Sequence, residues 1–195
     1  MVDREGGIGA DMAVEKRPKK TDVTEGAPLE RLRTFGDPAL RQPTHPVTAF
    51  DGRLEKLAAL MLQVMDREEG VGLAAPQIGV MSRIMVWRNP ERESERYVFV
   101  NPRVVEASEA DYTASEGCLS VPAGTVQVTR HEEVVVEAQD LTGETFQVRL
   151  AGLLARIVQH EIDHLDGRLI LDRTSPEDRR RALKELRERT LAGDI

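Results

Sequence analysis

The chain has 195 residues, 40% hydrophobic and 31% charged, with a net charge of −7, the usage of one globular domain with a single core. No apolar run approaches the roughly 20 residues of a membrane span, and the acidic balance speaks against sequence-specific nucleic-acid binding through a basic surface. One cysteine cannot form an internal disulfide, so a reducing, cytoplasmic setting is expected.

Residues 1–28 mix Lys16, Arg17, Lys19 and Lys20 with Asp3, Glu5, Asp11, Glu15, Asp22 and Glu25 and have no signal-peptide core. They read as a disordered extension, with Met12 an alternative start. Residues 50–68 carry Leu54, Leu57, Ala58, Met61, Val64 and Met65 at helical spacing, with Asp51 as N-cap and Gly70 as stop. A glycine-rich segment, Gly70 to Gln77, follows. As a glycine signal alone it is a tight turn leaving the helix, since no upstream strand, third glycine or lysine supports phosphate binding. Short β-rich runs come next, at 83–87, 97–100, 104–107, 125–128, 134–138 and 145–150, with Thr142-Gly143 as a hairpin turn between the last two. A helix over 152–165 and a final helix from Ser175, capped by Ser175-Pro176-Glu177-Asp178, complete the chain. The expected fold is α+β: one domain, antiparallel or mixed β-sheets around a buried central helix, with an N-terminal and a C-terminal helix.

The helix over 152–165 carries the strongest chemical signal, Gln159-His160-Glu161-Ile162-Asp163-His164. Two histidines four residues apart share one helix face and reach one metal ion, and the adjacent glutamate lies where it can exchange protons with a water there. Leu153, Ile157, His160 and His164 form one stripe; Leu154, Val158, Ile162 and Leu165 form a second. Only Arg156, Gln159 and Asp163 make a polar edge. A helix apolar over most of its circumference is buried, so both histidines point into protein.

A catalytic site of this kind takes a third protein ligand. In the His-Glu-x-x-His-x-x-Gly-x-x-His pattern it would stand at position 170, which is Ile170. Glu177, Glu185 and Glu188 lie in a charge-dense, solvated segment. Cys118 remains, although a lone cysteine is ordinarily a small buried hydrophobe.

Gly70-Val71-Gly72-Leu73-Ala74-Ala75-Pro76-Gln77, Glu116-Gly117-Cys118-Leu119-Ser120 and the His160–His164 motif, in this order and at this spacing, resemble the three signature motifs of the compact bacterial peptide deformylases. The resemblance runs from about Arg31 to about Arg187. It divides the chain into the extension (1–28), a metal-dependent catalytic domain (29–175) and a C-terminal helix and tail of that domain (176–195). It also implies that Cys118, His160 and His164 hold one divalent ion, Fe2+ first and Zn2+, Ni2+ or Co2+ as alternatives. Glu161 is then the proton carrier, while the Gln77 amide and the Leu119 backbone N–H meet the developing oxyanion. Val71, Gly72, Leu153 and Ile157 line the place of the substrate, N-formylmethionine at the start of a nascent chain, which loses formate. Glu116 and Gln159 are expected behind the ligands, with Arg130 a partner for Glu116. Thr125 stands where some relatives carry a peptide-contacting arginine.

Two other readings stay open: a metallopeptidase using the same helix with a different third ligand, and a non-catalytic, ribosome-associated metal-binding paralogue. Arg180, Lys184 and Arg187 form a basic stripe on the last helix, opposite Leu183 and Leu186, for which the resemblance suggests docking on the ribosome.

Overall fold

A computed structural model describes residues 32–193; the extension expected over 1–28 lies outside the described residues. Helix α1 (Gly52–Arg67) starts where Asp51 accepts a hydrogen bond from the Arg53 backbone N–H, the cap read from the sequence. The strands are β1 (Gly72–Ala74), β2 (Ile84–Asn89), β3 (Arg92–Ala107), β4 (Asp111–Cys118), β5 (Val121–His131), β6 (Glu133–Gln139) and β7 (Thr145–Ala151). Helices α2 (Gly152–Leu165) and α3 (Pro176–Ala192) follow. Strands β1, β2, β3, β6 and β7 form one sheet in that order, every pairing antiparallel, while β4 and β5 make a separate hairpin.

Alternation along β2 shows how the sheet is sandwiched. Met85 and Trp87 point to one face and pack with Phe99, Val136, Leu154 and Val158, against α2. Ile84 and Val86 point to the other and pack with Met61, Met65 and Val98, against α1. A third apolar cluster joins Val126 and Val128 of the hairpin to Leu169, Leu171, Ala182 and Leu186, which seats α3 on β5. Cys118 packs at the edge of this cluster, so the hairpin is held where it can meet α2.

Three local expectations are corrected. The runs at 97–100 and 104–107 are one strand, β3, because the Asn101-Pro102 step between them is absorbed by a register shift between Val100 and Arg103. Asn101 takes a φ of 53° and holds it by donating to Val47 O at 2.9 Å and Gln139 Oε1 at 2.7 Å. The middle of the glycine-rich segment forms strand β1, too short to show a period. Strand β4 was unread, and β5 runs well beyond 125–128, because β4 is polar on both sides and shows no clear alternation of apolar residues. The Thr142-Gly143 turn is as expected: Gly143 has a φ of 85° and donates to Asp140 O at 3.0 Å.

Candidate metal centre

Helix α2 presents His160 and His164 one turn apart, with ring centroids 5.0 Å apart. Cys118 ends β4, where the hairpin register slips between Glu116 and Cys118, and its Sγ lies 3.2 Å from His164 Nε2. One ligand atom from each of Cys118, His160 and His164 lies within 4.8 Å of the others. Two imidazoles and a sulfur at this separation fit one ion of the zinc or ferrous type.

The ring orientations fit as well. His160 Nδ1 pairs with Glu116 Oε2 at 2.9 Å, so Nε2 is the ring nitrogen left to face the cluster and would be the one to hold an ion. Burial favours a neutral ring, but the hydrogen bonds to Cys118 and Glu116 outweigh it and lift the His160 pKa to about 10. His164, fully enclosed and beside His160, is pushed the other way, well below the usual imidazole range.

Glu116 is the hub behind the ligands. Its Oε1 accepts from Arg130 Nε at 2.6 Å and from Arg156 Nη1 at 2.5 Å; its Oε2 accepts from Arg130 Nη2 at 2.9 Å as well as from His160. Burial alone would raise its pKa, but the bonds from His160 and Arg130 prevail and hold it at about 2. Arg130 also donates to Asp163 Oδ2 at 2.8 Å, and Arg173 closes the chain on the same carboxylate. The expected pairing of Arg130 with Glu116 is thus present.

Arg156 and Asp163 are corrections to the helix reading. Neither faces solvent: they are 4% and 5% exposed. Arg156 stacks over the Tyr112 ring, 4.3 Å from its centroid, and donates to Glu116, Val128 O and Tyr112 O. The sequence signal that could have flagged it was an arginine in a helix otherwise apolar on that side. Gln159 does not reach the ligands; it donates to His131 O and Ala155 O and ties α2 to the end of β5.

A cavity of about 610 Å³ opens in front of the cluster, lined by Val71, Gly72, Gln77, Cys118, Leu119, Leu153, Ile157, His160 and Glu161 among others. Every residue expected to touch substrate is therefore on its wall. Ile157 is buried in it, whereas Val71 and Leu153 form its half-open mouth. Glu161 is 4% exposed and its Oε2 has no hydrogen-bond partner. Burial pushes its pKa up to about 7. The glycine at 72 is explained by this carboxyl group. A Cβ there would stand 2.8 Å from Glu161 Cδ and 2.9 Å from Cγ.

Gln77 is buried in the wall of the same cavity as Glu161 and accepts from the Ala74 N–H at 2.7 Å through Oε1. A family model described as Polypeptide deformylase matches residues 29–180. The chain belongs to this family. It is similar to the peptide deformylase of Dictyoglomus thermophilum, 47% identical over 151 residues that span 76% of this chain and 95% of that one. The Thermotoga maritima peptide deformylase is 40% identical over 158 residues, 81% of this chain and 94% of the relative. Among solved structures, a peptide deformylase from Legionella pneumophila superposes with a TM-score of 0.80 at 38% identity, covering 86% of this chain and 98% of its own. The protein is accordingly an enzyme, a metal-dependent hydrolase.

Proposed function

We propose that Cys118 Sγ, His160 Nε2 and His164 Nε2 hold one divalent ion, and that Glu161, Gln77 and the Leu119 N–H conduct the hydrolysis beside it. The reaction is that of the family: removal of the N-formyl group from the amino terminus of nascent polypeptides, with release of formate. We assign Fe2+ first, from the resemblance, with Zn2+, Ni2+ and Co2+ as alternatives that the same donor set accepts. The bound ion supplies Lewis acidity to the water and the formyl carbonyl.

The observation that carries the assignment is the unpartnered Oε2 of Glu161, buried in the wall of the cavity beside the three ligand atoms. A buried carboxyl oxygen without a partner is costly and is retained where a proton must be handled. Glu161 takes a proton from the attacking water at Oε2 and delivers it to the amine nitrogen as the C–N bond breaks. Burial raises this carboxyl above its ordinary range, which strengthens it as a proton acceptor. The Gln77 amide and the Leu119 N–H donate to the formyl oxygen as negative charge gathers there, each such donor being worth roughly 3–4 kcal/mol. Val71, Leu153 and Ile157 receive the methionine side chain, and Gly72 lets the extended peptide backbone approach.

The test is formate release from formyl-Met-Ala by anaerobically purified protein, with metal analysis of the same sample. Cys118→Ala should lose most of the metal. Retention of one tight ion in that variant, together with no sulfur scatterer in the wild-type X-ray absorption spectrum, would move a metallopeptidase reading ahead.

Ribosome docking is a separate element of the proposal. Arg180, Lys184 and Arg187 are all exposed on α3, while Ala182 and Leu186 are buried against the hairpin. This leaves the basic face outward, toward a polyanionic surface in the cytoplasm where nascent chains emerge. Charge reversal of the three should weaken co-sedimentation with ribosomes and spare peptide turnover; unaltered sedimentation removes the idea.

A further inference from the structure

We propose that Ser120 is a positioning residue for this reaction, fixing the Gln77 carboxamide so that one Nε2 hydrogen faces the substrate carbonyl; this rests on the assignment of Gln77 as an oxyanion donor. Ser120 is 0% exposed and Gln77 is 1% exposed, so both side chains are shielded from bulk solvent. Gln77 Oε1 accepts from the Ala74 N–H at 2.7 Å, and Gln77 Nε2 donates to Ser120 Oγ at 3.2 Å. A carboxamide carries two donor hydrogens on nitrogen and an acceptor oxygen. The Ala74 contact excludes the flipped amide, which would set N–H against N–H. The Ser120 contact takes one hydrogen and sets the plane of the group. The second hydrogen is left for the cavity that Gln77 lines with Cys118, Leu119 and Glu161.

The backbones of both residues are tied by one segment. The Arg33 N–H donates to Gln77 O at 2.7 Å, and the Phe35 N–H donates to Ser120 O at 2.8 Å. The separation of the two loops is therefore held, and the soft coordinates that remain are the Gln77 side-chain torsions. Without Ser120 Oγ the amide keeps its oxygen anchor but is free to swing about it. Donors in an oxyanion site act through preorganisation, so such freedom should lower the rate without touching ground-state binding.

The test is a double-mutant cycle on metal-loaded enzyme with formyl-Met-Ala. Ser120→Ala should lower kcat about tenfold, less than the hundredfold or more typical of removing the donor itself, with KM and bound metal unchanged. In the Gln77→Ala background the same change should do nothing further. Zinc-loaded protein should also show two distinct, slowly exchanging Gln77 Nε2 proton signals that exchange faster in Ser120→Ala. An equal loss in both backgrounds, or unchanged kcat and amide signals in Ser120→Ala, overturns the proposal. A wild-type rate in Gln77→Ala alone instead overturns the donor assignment on which it rests.

Discussion

Replacing Gly72 by alanine adds one carbon at the most crowded point of the cleft wall. The new Cβ would lie against Glu161 Oε1, with Cδ at 2.8 Å and Cγ at 2.9 Å, whereas ordinary contact begins near 3.4 Å, so the carboxyl group must retreat by about 1 Å. Its helix is packed against the sheet, so the carboxyl can yield only by swinging out of its present place into the cavity, away from the position proposed for proton transfer. Overpacking of this kind costs roughly 1–3 kcal/mol of stability. The catalytic effect should be larger, since a misplacement approaching 1 Å at a reacting group can cost about a hundredfold. Gly72→Ala should therefore retain its metal, melt a few degrees lower and release formate from formyl-Met-Ala about ten to a hundred times more slowly, mainly through kcat. Gly70→Ala is the control. Its Cβ would press only on the flexible end of Leu119, at 3.0 Å, with Gly72 O at 3.4 Å and Met65 Cγ at 3.5 Å in ordinary contact, and turnover should fall by no more than a few-fold. Turnover of Gly72→Ala within twofold of wild type, or a loss explained wholly by missing metal, refutes the argument that Gly72 is small because of Glu161.

Glu161→Gln should keep metal and fold but lose catalysis, since the role proposed for Glu161 is to carry a proton and not to hold the ion. Its folded pKa, near 7 against 4.5 when unfolded, means that the fold binds this proton more tightly than the unfolded chain does. In chelated protein that contribution is full below pH 4.5 and fades as pH rises through 7, by up to about 3 kcal/mol; urea melts of wild type and Glu161→Gln should converge at pH 4 and diverge at pH 8. Glu116 titrates in the opposite sense: held at about 2, it stabilises the fold above pH 4.5 and loses that contribution as pH falls through 2. Glu116→Gln, which leaves buried Arg130 and Arg156 facing a neutral group, should be destabilised at pH 7 by roughly 3–5 kcal/mol in the same melts. For substrates, formyl-Ala peptides should have kcat/KM tens to hundreds of times below formyl-Met peptides, because a few methylenes in an apolar pocket are worth roughly 1–3 kcal/mol. Equal values would show that Val71, Leu153 and Ile157 do not receive the first side chain.

Local periodicity and spacing determined much of this protein. The i, i+4 histidines with Glu161 between them, the two amphipathic helices, their caps at Asp51 and Ser175, and the Gly143 turn all depend on neighbours within a few residues. Each was legible because a helix or a tight turn repeats over that range. The chemistry of the cleft was legible for a different reason. Cys118, Gln77 and Leu119 sit in short motifs whose resemblance suggested the roles proposed for them, although nothing in their own neighbourhood says that they meet α2.

Only the tertiary structure decided the long-range contacts. Arg156 and Asp163 looked like a solvated edge, because periodicity separates polar from apolar but cannot show that charges are neutralised by partners far away in sequence. The Glu116 carboxylate in β4 and Arg130 in β5 supply those partners, and the buried network forms because each charge has an opposite within hydrogen-bond reach. Strand β4, polar on both sides, acquires its place only by pairing with β5. Gly72 and Ser120 follow the same rule: one is small because Glu161 lies across from it, and the other is a serine facing the Gln77 amide. Short-range order is written in spacing, whereas burial of charge, steric fit and side-chain orientation depend on which distant residues the fold brings into contact.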